Sequence, residues 1–389
     1  MSERKIKAWE QAGVIDAAAA MRIRAWEADH SRPIGLWAMV GLGGLAIGLG
    51  FISVVAANWD AIPGEVRLAI HFALMAGLGL FVWLRLSRID GDNDHFHDAL
   101  LFVAAILGLT FFGHLGQVYQ TSAPLWQPLL AWIILFSPLL LLFGRGWPIA
   151  GLWMAGVLGT AWAHASEYGV AWVFVPSGAP RPSWPTFYWG LIACPPMVVA
   201  AFAALMRSRT DRPEYWRLLE QLAIATIFAG LSIAIAVRGW DDHADYAIGS
   251  VAIQSLFLAG AGAAIYAARP TPSGQATAAI LAVAAVVHLL ESLLLQPTQG
   301  TLHQWIGALC FLALWAAVAY AALHARWRRI FQLAIGLLAA RIIILSFELN
   351  DDLLGSGVGL ITSGLLAMGI AWGTVRISRR YAPRTGEAA

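Results

Sequence analysis

Long apolar runs separated by short polar connections repeat along almost the whole chain, and their spacing predicts about twelve spans. The first two form a hairpin. A Gly-rich run, 34–57, leads into the polar turn Asn58-Trp59-Asp60-Ala61-Ile62-Pro63-Gly64-Glu65, and a second run, 66–84, follows. About 20 residues rising about 1.5 Å each cross a hydrocarbon core roughly 30 Å thick, so each run is long enough to cross a bilayer as a helix. The further runs expected to cross are 98–118, 125–143, 147–165, 187–205, 218–237, 246–267, 275–295, 303–322, 329–347 and 354–375. The expected fold class is all-α: a polytopic helical transmembrane bundle with a small N-terminal cytoplasmic helical hairpin.

That hairpin occupies residues 1–32. Ile6, Trp9 and Val14 give its first piece an apolar side, Gly13 sits at the turn, and Asp16 is placed to cap a second helix through Asp29. It is readable as an amphipathic cap on the membrane surface or as a docking module for a protein partner. The segment is charged and has no apolar core of signal-peptide type, so the first span is expected to serve as its own insertion signal.

Composition agrees with this pattern. The 389 residues are 59% hydrophobic and 12% charged, against about 25% charged in an ordinary soluble domain. Net charge is only +2, but the placement of the positive charges is informative. On the expected topology the outer connections hold only Arg67, Arg181 and Arg238, and Arg341 lies within a span; every other Lys and Arg is on the inner side. Such a bias places both termini in the cytoplasm. The most basic connection, 207–217, divides a first membrane half, 33–206, from a second, 218–380, and a tail follows at 381–389.

Ionisable and amide side chains inside apolar runs are the sharpest candidates for function, because each is costly in lipid unless paired or wetted. His71, His114, Gln117, His288, Glu291 and Arg341 fall in the extracytoplasmic halves of their spans, with Gln254 also inside a run. Tyr119, His164 and Glu348 stand near the outer ends, and Asn58 and Asp60 are the expected rim of a polar cavity. The cytoplasmic half is expected to be nearly free of such groups. His114 and Gln117 are three residues apart, as are His288 and Glu291, so each pair shares a helical face. Arg341 is placed to pair with Glu291 or Glu348.

Three functions follow from this set. A transporter or permease for a small polar or anionic solute would use Arg341 on the solute and His114 or Glu291 on protons. A non-catalytic scaffold or sensor would bind a partner through residues 1–32. An intramembrane enzyme would use the histidines and Glu291 as acid and base. No His-Glu-x-x-His, Gly-x-Ser-x-Gly or Gly-Lys-Ser/Thr sequence is present, and no cofactor is expected. The loop from Asp90 to Asp98 alternates carboxylates and imidazoles but lacks calcium-loop spacing, and Cys194 and Cys310 lack metal-ligand spacing, so no metal site is expected. No face gathers basic residues with stacking aromatics, which argues against nucleic-acid binding.

Several of these positions fall into a recognisable set. Trp9, Glu10, Ala12, Gly13 and Ile15, the run Val55-Ala56-Ala57-Asn58-Trp59-Asp60, Arg67, and Gly116-Gln117-Val118-Tyr119-Gln120 followed by Trp126 resemble the bacterial DUF2157 family of predicted membrane proteins. Gly336, Arg341 and the turn Gly355-Ser356-Gly357-Val358-Gly359 are similar to the same family. The resemblance implies a bacterial inner-membrane protein in contact with lipid, and it brings no activity with it.

Overall fold

The computed structural model describes residues 9–29, 62–86, 95–121, 123–167, 186–240, 248–295 and 300–348, with isolated positions elsewhere. The chain divides into two compact units, Met1–Arg67 and Leu68–Ala389. In the first unit, helix α1 (Ala17–Asp29) begins where the Asp16 carboxylate accepts the Ala19 N–H at 2.6 Å. Ahead of it Gly13 adopts a φ of +68°, and its N–H closes onto the Glu10 carbonyl, a turn that a side chain would strain.

Among the described residues the second unit is entirely helical, continuing α2 (Gly64–Leu86), which starts at the end of the first unit. It comprises α3 (His95–Tyr119), α4 (Trp126–Phe143), α5 (Trp147–Glu167), α6 (Thr186–Ile192), α7 (Pro195–Arg207), α8 (Pro213–Trp240), α9 (Ile248–Ala268), α10 (Pro272–Leu295), α11 (Gly300–His324) and α12 (Arg328–Glu348). Prolines open α7, α8 and α10, where a missing N–H costs nothing. The longest helix, α8, packs on α5, α7, α10 and α11, while α9 packs on α6, α7 and α10. The core between them is lined by Trp132, Leu219, Leu258, Leu281 and Leu314. Large apolar side chains point outward instead at Ile70, Phe72, Leu74 and Trp83 on α2 and at Ile134, Leu135 and Leu142 on α4, as lipid-facing helices require.

The expectation of about twelve spans is corrected. Among the described residues seven helices are long and apolar enough to cross a membrane: α2, α3, α4, α8, α9, α10 and α11. The expected span 187–205 is broken, because Pro195 and Pro196 supply no N–H to continue a helix from α6, and the chain turns through Cys194 instead. The 13 residues of α7 reach only about 20 Å. Helix α5 has the length, but its tryptophans, glycines, Thr160 and His164 dilute its apolar content, and α12 carries Arg328, Arg329 and Arg341. Apart from isolated positions, the expected spans 34–57 and 354–375 lie outside the described residues, and the tail at 381–389 does so entirely.

Candidate functional site

The described polar groups of the second unit collect where helix hairpins bring sequence-distant ends together. At the α2–α3 contact, His71 and His114 face each other with their Nδ1 atoms 3.1 Å apart, and His71 Nε2 lies 3.0 Å from the Leu107 carbonyl oxygen. The edge of Phe111 packs on the His71 ring at 5.4 Å. Where the start of α4 and the end of α5 meet α6, His164 Nε2 lies 3.0 Å from the Tyr188 hydroxyl, and the Trp126 ring stands 4.9 Å from the imidazole.

A third cluster joins the start of α9 to the end of α10. His288 Nε2 donates to Gln254 Oε1 at 2.9 Å, and Gln254 Nε2 donates to Ser250 Oγ at 3.3 Å. On its other side His288 Nδ1 is 3.9 Å from Glu291 Oε2, an ion-pair separation rather than a hydrogen bond. Both side chains are buried, as are Ser292, His303 and Arg341. Close backbone approach holds α6 against this region, since a Cβ on Gly190 would stand 2.6 Å from the Ser250 carbonyl oxygen.

The expected polar residues therefore form two separate pairs among those named: His71 with His114 on α2 and α3, and His288 with Glu291 on α10. Arg341 is buried on α12. Gln117 and Tyr119 are exposed near the end of α3. Asn58 and Asp60 lie outside the described residues, and so does the side chain of Glu348. Tyr188 and Ser250 complete two clusters without having been singled out by sequence; Tyr188 sits 24 residues from His164 and carries no spacing signal, whereas Ser250 stands one helical turn before Gln254.

The opposite ends of the helices are not free of ionisable groups. Glu220, on the second turn of α8, is buried and accepts from Arg207 at 3.3 Å and from Arg269 through its other oxygen. Burial lowers the Arg269 guanidinium from its ordinary value, Glu220 raises it again, and Arg207 opposes that gain. Beside this group Arg212 donates to the carbonyl oxygens of Gly144 and Leu141, both at 2.7 Å, and the Tyr215 hydroxyl donates to that of Leu140 at 3.0 Å. The last carbonyls of α4 thus receive the donors that a helix C-terminus lacks. Burial also lowers Arg212, with Tyr215 raising and Arg145 lowering it further. Asp98, from the loop considered for a metal, is buried and accepts the Arg145 N–H at 3.1 Å, bracing the α4–α5 turn. The sequence signal for this region was a carboxylate just inside an apolar run beside the 207–217 arginines.

No curated protein and no solved structure matches the chain. Seven apolar helices among the described residues make it a multi-pass membrane protein, consistent with a bacterial inner membrane. Its recognised relationship covers part of the chain, taking in Trp9, Arg67, the Gly116–Gln120 stretch and Trp126 but not the positions after residue 300: residues 7–149 match the family described as Predicted membrane protein (DUF2157).

Proposed function

We propose that the protein is a transporter or permease for a small polar or anionic solute. The observation carrying this reading is the burial of Glu291 beside His288 within α10, one of the most apolar helices in the chain. Ionisable groups at such a position cost free energy that a purely structural helix avoids, and in membrane proteins they commonly mark solute or proton paths. Arg341, buried on α12, supplies the charge type that would attract an anion. The arginines around Glu220 and Arg212 support a cytoplasmic placement of that end of the bundle.

The test is uptake by proteoliposomes offered inorganic phosphate, a four-carbon dicarboxylate or a neutral amino acid. Uptake of one of these above protein-free vesicles, abolished in Glu291→Gln and Arg341→Ala, is the expected result. Folded, correctly inserted protein that moves none of them would remove the reading.

A scaffold or sensor is the second reading, favoured by the separation of Met1–Arg67 as a compact unit of its own. Under it, residues 1–32 hold a protein partner. Affinity capture from membranes should then lose a specific partner when residues 1–32 are deleted, and an unchanged partner set would count against it.

A further inference from the structure

The His71–His114 contact fixes the hydrogens on both rings. A carbonyl oxygen only accepts, so His71 Nε2, 3.0 Å from the Leu107 oxygen, carries a hydrogen. In the neutral ring His71 Nδ1 is then a lone pair. Its neighbour at 3.1 Å, His114 Nδ1, must be the donor, which leaves the second lone pair of the couple on His114 Nε2.

One added proton fits this arrangement and a second does not. A proton arriving at His114 Nε2 makes that ring a cation while its Nδ1–H still points at His71 Nδ1. The contact becomes a charge-assisted hydrogen bond, stronger than the neutral one. The Nδ1 hydrogen can cross to His71, whose charge is then met by the Leu107 carbonyl, and the couple has gained one hydrogen ion and one unit of charge in either form. A second proton would place an N–H on both facing Nδ1 atoms and two cations in adjacent rings, breaking the bond. His71 Nε2 ends on a backbone carbonyl, so the couple stores a proton rather than conducting it onward.

Among the described residues, few titratable groups belong to the helices around the couple. Phe111 packs on His71 and Phe72 packs on Phe111. Helix α3 packs on α4 and α5. Helix α4 carries no titratable side chain, and the titratable groups of α5, His164 and Glu167, are in its last turn, with His164 held by Tyr188. On α3, His95, His97 and Asp98 lie at the other end, about 25 Å along the helix, and Tyr119 is exposed beyond His114. On α2, Arg85 is at the far end, and Glu65 and Arg67 are in the first turn, where Arg67 Nε donates to the Ile62 carbonyl.

We propose that His71 and His114 form an intramembrane proton-binding site that holds one proton between their Nδ1 atoms. The site stands whether or not the protein moves a solute. Nitrogen-15 NMR of histidine-labelled protein in lipid nanodiscs, titrated from alkaline to mildly acidic pH, tests it, with the two rings assigned by comparison with His71→Asn and His114→Gln. The expected result is an alkaline state with hydrogen on His71 Nε2 and His114 Nδ1, followed by one joint step in which both rings shift and the couple gains a single proton. His114→Gln, which keeps a donor to His71 but removes the receiving ring, should abolish the step at His71. Two independent full titrations in the unmodified protein, or a neutral His71 with its hydrogen on Nδ1, would overturn the proposal.

Discussion

The Glu220 carboxylate stands 3.3 Å from the Arg207 guanidinium while remaining only 3% exposed, and Arg269 takes its second oxygen. One acid thereby ties the end of α7 and the end of α9 to the start of α8. Removing it would leave two guanidinium groups facing each other where water reaches them poorly. Breaking a buried pair from one side costs about 3–5 kcal/mol, so Glu220→Ala should lower the melting temperature in detergent sharply. Glu220→Ala combined with Arg269→Ala should cost less than the two single losses added together. Additive losses would show that the three charges do not act as a unit.

Arg212 supplies a second test at the same end. Its two terminal nitrogens reach carbonyls of Gly144 and Leu141 at 2.7 Å each, a spread that a guanidinium spans and an ammonium does not. Hydrogen bonds from charged donors contribute about 1.5–3 kcal/mol. Arg212→Lys is therefore expected to destabilise nearly as much as Arg212→Ala, and Tyr215→Phe, losing one neutral bond to Leu140, by about 1 kcal/mol. Thermal melts followed by tryptophan fluorescence would rank the three variants.

Much of the helical layout was legible because each apolar run has a natural length. The run at 246–267 became α9, and that at 275–295 became α10. The run at 187–205 misled because Cys194, Pro195 and Pro196 are apolar by composition, whereas their effect is on backbone hydrogen bonding. The His288–Glu291 pairing followed from helical periodicity, which acts over one turn. The partners of His71, Glu220 and His164 come from other helices, and no rule of spacing reaches them. Glu220 was obscured by its neighbours: arginines beside an apolar run signal topology so strongly that a carboxylate joining them is easily passed over.

Gly190 makes a sharper steric test than any other glycine at the histidine-rich ends of the helices. A Cβ there would lie 2.6 Å from the Ser250 carbonyl oxygen and 2.9 Å from its Cα, both backbone atoms that cannot rotate away. Gly190→Ala should push α6 off α9 and cost about 1–3 kcal/mol, disturbing Tyr188 two residues earlier. Gly230 and Gly260 have nothing within 4 Å of a built Cβ, so alanine at either should be neutral or slightly stabilising. Equal melting temperatures for Gly190→Ala and Gly260→Ala would refute the close approach.

The Gln254–His288 hydrogen bond tests what a polar contact is worth between these apolar helices. At 2.9 Å its geometry is good, and the Gln254 amide nitrogen also donates to Ser250 Oγ at 3.3 Å. Interhelical hydrogen bonds in membranes nevertheless average about 0.6 kcal/mol and reach about 1.7, because unfolded helices in lipid also find partners. A double-mutant cycle of Gln254→Ala and His288→Ala should accordingly give a coupling of about 0.5–1.5 kcal/mol. His288→Ala alone should cost more than the coupling, since it also strips Glu291 of the imidazole 3.9 Å away and leaves a buried acid with one fewer neighbour. Glu291→Gln in the His288→Ala background should then recover part of the loss. If that second change instead deepened it, the buried carboxylate would be held chiefly by contacts other than His288.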